Sequence, residues 1–283
     1  MFFQLWVIHG LYRGRVLPFV FCLLPDKQQQ TYVRAIAMVI ADLPRRPTTI
    51  IIDFEKAVEN SFRQQIPGAS IHGCFFHFAQ AVWRKAQQLG MERQYVADEQ
   101  YRCLIKMFTA LTFCRPADVI GRFNELAEYF IGTAGNEDAH VQFLNYFEST
   151  WVGRPGRPPL FAREMWNNNI ITLLDLPRTT NSVESWHHQI QSKFTLPHPN
   201  LYKFIEGLRE ENVRINAICV KLDGGQEVPL YSRREYQESN QRLLNILQRY
   251  GQMDTESYLR ATSRFIKYRG VDPVQEEQED DDE

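Results

Sequence analysis

Residues 48–53 read Thr-Thr-Ile-Ile-Ile-Asp, and this stretch decides the fold class of the chain. Its first five residues are all β-branched, which is typical of a short strand buried on both faces. The strand ends on a carboxylate, Asp53. A strand buried on both faces needs helices above and below its sheet, so this stretch predicts an α/β fold.

The residues around this strand alternate between strand and helix patterns. Apolar runs bounded by turn residues predict strands, and apolar residues spaced three to four apart predict helices. The predicted elements are strands at 2–8, 16–24, 48–52 and 69–72 and helices at 28–43, from residue 54 to about 65, and 74–89. The first two strands are joined by a short turn and should be antiparallel. The order β-β-α-β-α-β-α predicts a mixed sheet.

The second half of the chain reads as helical. Residues 92–146 contain no convincing strand, and two stripes of apolar residues predict an all-helical insertion. Residues 153–159 predict a loop, and residues 165–174 are ambiguous in their period. Further helices are predicted at 180–193, 201–220, 243–250 and 257–268.

Composition excludes several classes of protein. With 44% hydrophobic and 13% aromatic residues, the 283-residue chain is neither disordered nor of low complexity. No apolar run reaches the roughly 18 residues of a membrane span, and no leader pattern is present, which argues against a membrane or secreted protein. The five cysteines are odd in number and widely spaced, which favours a reducing compartment over a disulfide scaffold.

The charge is unevenly distributed along the chain. The net charge is −2, but the last eight residues, Glu276–Glu283, include seven acids. The remaining residues hold 32 basic against 27 acidic side chains. A mildly basic body with an acidic tail is compatible with nucleic-acid binding, although a solvated tail is the simpler interpretation.

Asp53 is the first candidate for chemistry. A carboxylate at the carboxyl end of a buried strand lies where open α/β sheets place ligands and catalytic groups. The competing interpretation is that Asp53 caps the following helix, because Asp is a favoured N-cap residue. Position alone slightly favours the cap.

Cys74 and His77 form a Cys-x-x-His pair after the last predicted strand. This spacing is half of a structural zinc site, which needs a second pair. Cys103 and Cys114 are not spaced as one. A buried Cys and a His on a helix face are therefore the favoured interpretation.

Glu184 is the third candidate, and it precedes Trp186 and His187. Asn181 stands three residues before Glu184, which is a pattern like a capping box at a helix start. The functional alternative is an acid on the first helical turn beside an indole and imidazoles. The residue types alone support the capping interpretation and the functional interpretation equally.

Taken together, several segments resemble the transposase of Mutator-like elements, known as the MULE transposase domain. They occur in the order of that family over about residues 2–210. The matching segments are Phe3–Gly10, Leu23–Pro25 with Thr31-Tyr32, Ile51–Ala57, Gly73–Gln80, Trp83–Lys85, Trp166-Asn167, Arg178–His187 and His198-Pro199.

The resemblance implies an RNase H-like catalytic core that cuts DNA at element ends and joins the freed 3′-hydroxyl to a target. Such cores use an Asp-Asp-Glu triad to hold two Mg²⁺ or Mn²⁺ ions. Asp53 matches the second Asp, and Glu184 matches the final Glu. Cys74 and His77 match the family's Cys-x-x-His, and Asn181 and His187 fall in the motif around the final Glu. Two such ions stabilise both the attacking and the leaving oxygen.

The resemblance also divides the chain. The expected regions are the amino-terminal part of the RNase H-like core (1–90), a helical insertion (91–175), the core helices with the final Glu (176–220), a helical region (221–270) and a disordered acidic tail (271–283). The expected partners are DNA at transposon ends and targets and a second copy of the chain. The expected location is the nucleus, or otherwise the cytoplasm.

One expected element is missing from these residues. The family places its first Asp on a strand before the segment that matches residues 2–10, and no acid precedes Asp26 here. That strand is central in the RNase H-like order 3-2-1-4-5. We therefore expect an incomplete metal site, and either a sheet in which strands two and four become neighbours or a chain that is a fragment of a longer protein.

Two classes of function follow from these expectations. The first is a transposase-derived protein whose present residues are inactive because the first Asp is absent. The second is a non-catalytic, domesticated DNA-binding or chromatin-associated factor. A third interpretation, a zinc module built on Cys74 and His77, lacks two identifiable ligands.

Overall fold

The computed structural model describes residues 2–174, 176, 183, 186–187, 189–190, 192, 200–226, 234–268 and 271–272. The strands are β1 (Gln4–Tyr12), β2 (Arg15–Leu24), β3 (Thr49–Ile52) and β4 (Ser70–Gly73). The described helices are α1 (Gln29–Ala41), α2 (Lys56–Gln65), α3 (Phe75–Gln88), α4 (Glu92–Ala97), α5 (Glu99–Ala110), α6 (Val119–Ala134), α7 (Asp138–Phe147), α8 (Arg163–Trp166), α9 (Asn169–Leu173), α10 (Leu201–Asp223), α11 (Arg234–Gln248) and α12 (Thr255–Ser263). Within these ranges, no helix is both long and apolar enough to cross a bilayer.

The chain forms two compact units, each built from two separate stretches. Residues 1–74 and 177–237 make the first, which we call the sheet unit, and residues 75–176 and 238–283 make the second, which we call the helical unit. The mixed α/β class and the predicted order of the first elements are confirmed. α3, which the sequence analysis grouped with the core, belongs to the helical unit.

β1 and β2 form the predicted antiparallel hairpin. Its two-residue turn has positive φ at both Arg13 (46°) and Gly14 (79°), which is the pattern of a type I′ turn and matches the twist of the strands. The register shifts by one residue where His9 pairs with Pro18. Proline, which lacks an amide hydrogen, is tolerated in a strand at such a bulge.

The two faces of the hairpin pack against different helices. Leu5, Val7 and Phe21 contact a buried cluster of Trp186, Ile190 and Leu208, so this face lies under α10 and the helical residues before it. On the opposite face, the Trp6 ring lies 5.3 Å from the Tyr32 ring of α1 and 6.1 Å from the Phe62 ring of α2. Alternation of side chains along β1 therefore places the hairpin between two helical layers.

β3 and β4 pair in parallel, and α2 is the crossover between them. The Cys74 amide continues the ladder by donating to the Ile52 carbonyl at 2.8 Å. Gly73, at the end of β4, lies under the Phe54 ring, and a Cβ there would approach the ring carbon Cζ to 2.2 Å. Glycine is required at this position because of that close approach rather than for its backbone freedom.

Within the described residues, β1–β2 and β3–β4 are separate two-stranded sheets. The prediction of one mixed sheet is wrong for this part of the chain, and of the two alternatives for the missing strand, the one that makes the second and fourth strands neighbours is not found there. β1 contains no fully buried residue, and Ile52 is the only buried residue of β3. Both strands are thus apolar but only partly covered, and the prediction that the β-branched strand before Asp53 is buried on both faces is wrong.

The helical unit is built around α5, whose Leu104, Met107 and Phe108 are almost completely buried. The predicted stripe of α6, including Phe123 and Phe130, is buried as well. Every described element between residues 92 and 152 is helical, as the periodicity predicts. The Phe108 ring lies within 6.3 Å of the rings of four other phenylalanines, Phe123, Phe130, Phe143 and Phe147, so aromatic packing forms this core.

The carboxyl-terminal segment returns to the same core. The Tyr268 ring stacks on Trp83 at 5.1 Å, and its hydroxyl lies 2.7 Å from the Thr109 hydroxyl. Tyr258 of α12 donates to the Phe113 carbonyl at 2.7 Å. These bonds join residues about 150 positions apart. The last part of the predicted helical region 221–270 therefore packs within the helical unit.

Three consecutive buried asparagines hold the short 3₁₀ turn that follows α5, Leu111–Phe113, in place. Asn167 and Asn169 donate to the Cys114 and Phe113 carbonyls, each at 2.7 Å, and Asn168 donates to the Thr112 hydroxyl at 2.8 Å. Side-chain amides thereby satisfy backbone carbonyls where the helix ends. Residues 165–174, which were ambiguous in period, are two short helices that carry this cluster.

We expect Gly73→Ala to destabilise the sheet unit by about 1–3 kcal/mol, because the added Cβ overlaps the Phe54 ring. Gly68→Ala is the matched control, since a Cβ at Gly68 meets no atom within 4 Å. Urea unfolding monitored by tryptophan fluorescence measures both changes. Equal stabilities for the two variants would show that Phe54 does not pack on Gly73.

Candidate functional site

Asp53 is the first residue after β3, at the carboxyl end of the strand, and its side chain is exposed. The interpretation of Asp53 as a helix cap is wrong, because α2 begins at Lys56 and its N-cap residue is Glu55. The carboxylate is therefore placed at the sheet edge where open α/β sheets bind ligands. Its role as a metal ligand stays a prediction.

A chain of hydrogen bonds fixes the backbone just after Asp53. The Gln4 amide of β1 donates to the Tyr32 hydroxyl at 2.8 Å, and that hydroxyl donates to the Glu55 carboxylate at 3.0 Å. Tyr32 is 1% exposed, and burial raises the pKa of its hydroxyl, so it stays a donor. The chain thus joins β1, α1 and the start of α2 beside the candidate acid.

Cys74 and His77 belong to different units, the sheet unit and the helical unit respectively. Cys74 is completely buried at the end of β4. His77 lies in the first turn of α3, half-buried, with its ring 5.5 Å from that of Phe76. The buried position of Cys74 agrees with the structural interpretation of that residue. Metal binding by the pair stays untested.

His187 lies on the helical face that covers β1. Its ring centre is 6.4 Å from that of His9 and 5.1 Å from that of Trp186. The His9 ring also meets the edge of Trp186 at 5.2 Å. Burial, followed by the positive charge of His187, lowers the pKa of His9 to about 4. The rings of His9, His187 and Trp186 thus form one aromatic cluster beside β1.

A buried carboxylate anchors this aromatic group. Glu211 of α10 is 1% exposed and accepts a hydrogen bond from the Trp186 indole at 2.7 Å. Arg214 donates two further bonds to it, at 2.5 and 2.9 Å. The charge is therefore both paired and hydrogen-bonded, which a buried carboxylate requires. The Trp186 ring is held in one orientation against His9 and His187.

Sequence reasoning missed Glu211 and the roles of Gln4, Tyr32 and Glu55. Glu211 had a signal, because it lies between Leu208 and Ile215 on the apolar stripe of α10, where a charge requires a partner. Tyr32 and Glu55 occur in segments that carry the family resemblance, but nothing in their spacing reveals that they touch. The contact depends on the packing of α1 against the start of α2.

Glu184 and Asn181 lie outside the described residues, so the convergence of Asp53 and Glu184 is not tested. Within the described part of the chain, no group of three His, Cys, Asp or Glu side chains is arranged to hold a metal ion. Asp53 supplies the hard carboxylate oxygen that Mg²⁺ and Mn²⁺ prefer. One carboxylate does not make a metal site, so metal binding at Asp53 stays a prediction.

Residues 2–81 match the family model of the MULE transposase domain. This part of the chain is therefore similar to the MULE transposase domain. The match runs from β1 into α3 and includes Asp53, Cys74 and His77, but it ends before Glu184. The similarity is shown for residues 2–81, and the resemblance of the later segments stays a prediction. No curated protein and no solved structure matches the chain.

The buried His9 should make the stability of the sheet unit depend on pH. Its pKa is about 4 in the folded chain and 6.5 unperturbed, so between these values the unfolded chain binds more protons. The free energy of unfolding should fall as the pH drops from 6.5 to about 4, by at most about 3 kcal/mol.

The variant His9→Asn tests this expectation because asparagine does not titrate. Unfolding in urea at several pH values should give a shallower decline for the variant than for the natural sequence. An identical decline in the two proteins would assign the pH dependence to other groups.

Proposed function

We propose that this chain is derived from a MULE-type DNA transposase whose family activity is metal-dependent DNA cleavage and strand transfer. We further propose that the 283 residues by themselves do not carry out strand transfer. The observation that carries the proposal is the position of Asp53 within the matched segment, exposed at the end of β3. The match alone supports a transposase ancestry. Asp53 connects that ancestry to metal-dependent catalysis, because it corresponds to the second Asp of the family's triad.

The strand pairing supports an RNase H-like arrangement that lacks its central strand. One edge of β1 pairs with β2 and one edge of β3 pairs with β4, while β1 and β3 are not joined within the described residues. A strand between them would give the order β2-β1-X-β3-β4, which corresponds to 3-2-1-4-5. The apolar but half-buried side chains of β1 and β3 agree with such a position.

The carboxyl end of such a strand would carry the family's first Asp close to Asp53. In a parallel arrangement, the carboxyl ends of neighbouring strands meet at one edge of the sheet. No acid precedes Asp26 in this sequence, so the present residues supply no such carboxylate. The site would then hold at most Asp53 and Glu184.

The chain's own residues have defined tasks in this proposal. Asp53 and Glu184 would hold the Mg²⁺ or Mn²⁺ ions, which when bound stabilise the charge on the attacking and leaving oxygens. Tyr32 and Gln4 position the loop after Asp53 through Glu55. Glu211 orients Trp186 on the helix that is expected to carry Glu184.

The experiment is a strand-transfer and cleavage assay with end-labelled DNA in Mg²⁺ or Mn²⁺. We expect no product above background from the natural 283-residue chain, and no difference between that chain and Asp53→Asn, because the metal site is incomplete. Asp42→Asn, which changes another exposed acid of the sheet unit, is the matched control.

Metal-dependent product that is lost in Asp53→Asn and Glu184→Gln, but kept in Asp42→Asn, would contradict the proposed inactivity. It would at the same time establish the two acids as catalytic.

The second candidate is a domesticated, non-catalytic DNA-binding or chromatin-associated factor. The separation of the two small sheets favours this candidate. If the sheet edge that would carry the catalytic acids is incomplete, the protein could lose catalysis and still retain DNA binding. Loss of binding in Asp53→Asn, when Asp42→Asn still binds, would argue against this candidate. Binding that survives in both and falls steeply with salt would support it.

A further inference from the structure

Residues 153–159 form a rigid, exposed turn in the helical unit. The Arg154 amide donates to the Arg157 carbonyl and the Arg157 amide donates to the Arg154 carbonyl, both at 2.9 Å. Between them stand Pro155 and Gly156, and Gly156 has a φ of 76°. Proline followed by glycine with positive φ is the pattern of a type II turn. Residues 154–158 are all exposed.

The base of this turn is fixed to the helical core. Gly153 donates to the Glu148 carbonyl at 2.7 Å, and a Cβ at Gly153 would come within 2.5 Å of a Pro159 ring carbon. Beyond the turn, Phe161 donates to the Thr150 carbonyl at 3.1 Å. The Phe161 ring stacks on Trp151 at 5.2 Å. The tip therefore projects from an anchored base and has little conformational entropy left to lose.

The two arginines of the tip differ in their partners. Arg154 forms an ion pair with Glu148 of the preceding π-helical turn, so its charge is compensated. Within the described residues, Arg157 makes no ion pair, and its neighbours at the tip are prolines and glycine. A single uncompensated guanidinium thus stands at the end of a preformed, narrow projection.

We propose that this tip is a DNA contact and that Arg157 enters the minor groove. The inference rests on the proposed function in so far as DNA is the partner of the chain. The Arg154–Arg157 pair exchanges both backbone bonds, so the tip is a closed turn that presents the Arg157 guanidinium rather than a broad basic face. The turn as a whole is too broad for the roughly 6 Å minor groove, whereas one planar guanidinium at its tip can enter it.

The chemistry of the tip agrees with this groove. A narrow minor groove concentrates negative potential and attracts arginine, above all in A-tracts. Prolines are among the apolar residues with which minor-groove proteins contact base steps. Except for the arginines, the tip has no side chain that donates or accepts a hydrogen bond, so it is suited to reading groove shape rather than base sequence.

The experiment compares Arg157→Ala with Arg93→Ala in the full chain. Arg93 is an exposed arginine of α4, so its removal changes the net charge equally without touching the turn. Fluorescence anisotropy at about 0.1 M salt measures binding to an A-tract duplex and to a GC-rich duplex. We expect Arg157→Ala to lose about tenfold in affinity for the A-tract duplex and less than about twofold for the GC-rich one.

Arg93→Ala should stay within about twofold of the natural chain on both duplexes. Netropsin, a small molecule that occupies the minor groove of A-tracts, should displace the natural chain from the A-tract duplex. Circular dichroism checks that Arg157→Ala is folded.

Each other outcome contradicts a defined claim. If Arg157→Ala binds like Arg93→Ala, the tip is not a DNA contact, although DNA binding itself stands. If Arg157→Ala loses the same affinity for both duplexes, the arginine contacts phosphate rather than the minor groove. If netropsin does not displace the natural chain, the minor-groove assignment is likewise wrong. If the natural chain binds neither duplex, DNA as partner in the proposed function fails together with this inference.

Discussion

The backbone hydrogen bonds of β1 and β3 determine which strands pair in the sheet unit. Each strand satisfies one edge, β1 with β2 and β3 with β4. Within the described residues, no other strand pairs with the outer edge of β1 or of β3, and backbone groups at such an edge need water or another partner. Both strands are only partly buried, which leaves room for water to satisfy these edge groups. The same edges are the place where a further strand would complete a larger sheet.

Much of the fold could be predicted from local patterns. The β-branched run before Asp53, the antiparallel hairpin and the helical stripes of α5 and α6 depend on neighbouring residues, and the structure contains all of them. The joining of the sheets could not be predicted, because it depends on which distant strands pair. The return of the carboxyl-terminal segment was missed for the same reason, since Tyr268 meets Trp83 and Thr109 across a long separation.

The candidate site was only partly visible in the sequence. Asp53 could be located because a carboxylate directly after a β-branched run is a local pattern, and the structure places it at the end of β3. The Gln4–Tyr32–Glu55 chain could not be predicted, because its members lie on three different elements. The rigidity of the Arg154–Arg157 turn was also hidden, since proline and glycine predict a loop but do not reveal how its base is held.

Residue-resolved amide hydrogen exchange on the 283-residue chain tests the separation of the two sheets most directly. The account predicts rapid exchange for those amides of β1 that point away from β2 and those of β3 that point away from β4. Amides within each pair should be protected. Strong protection of every amide in β1 and β3 would mean that both edges are hydrogen-bonded, which would contradict the open position between them and the incomplete catalytic edge inferred from it.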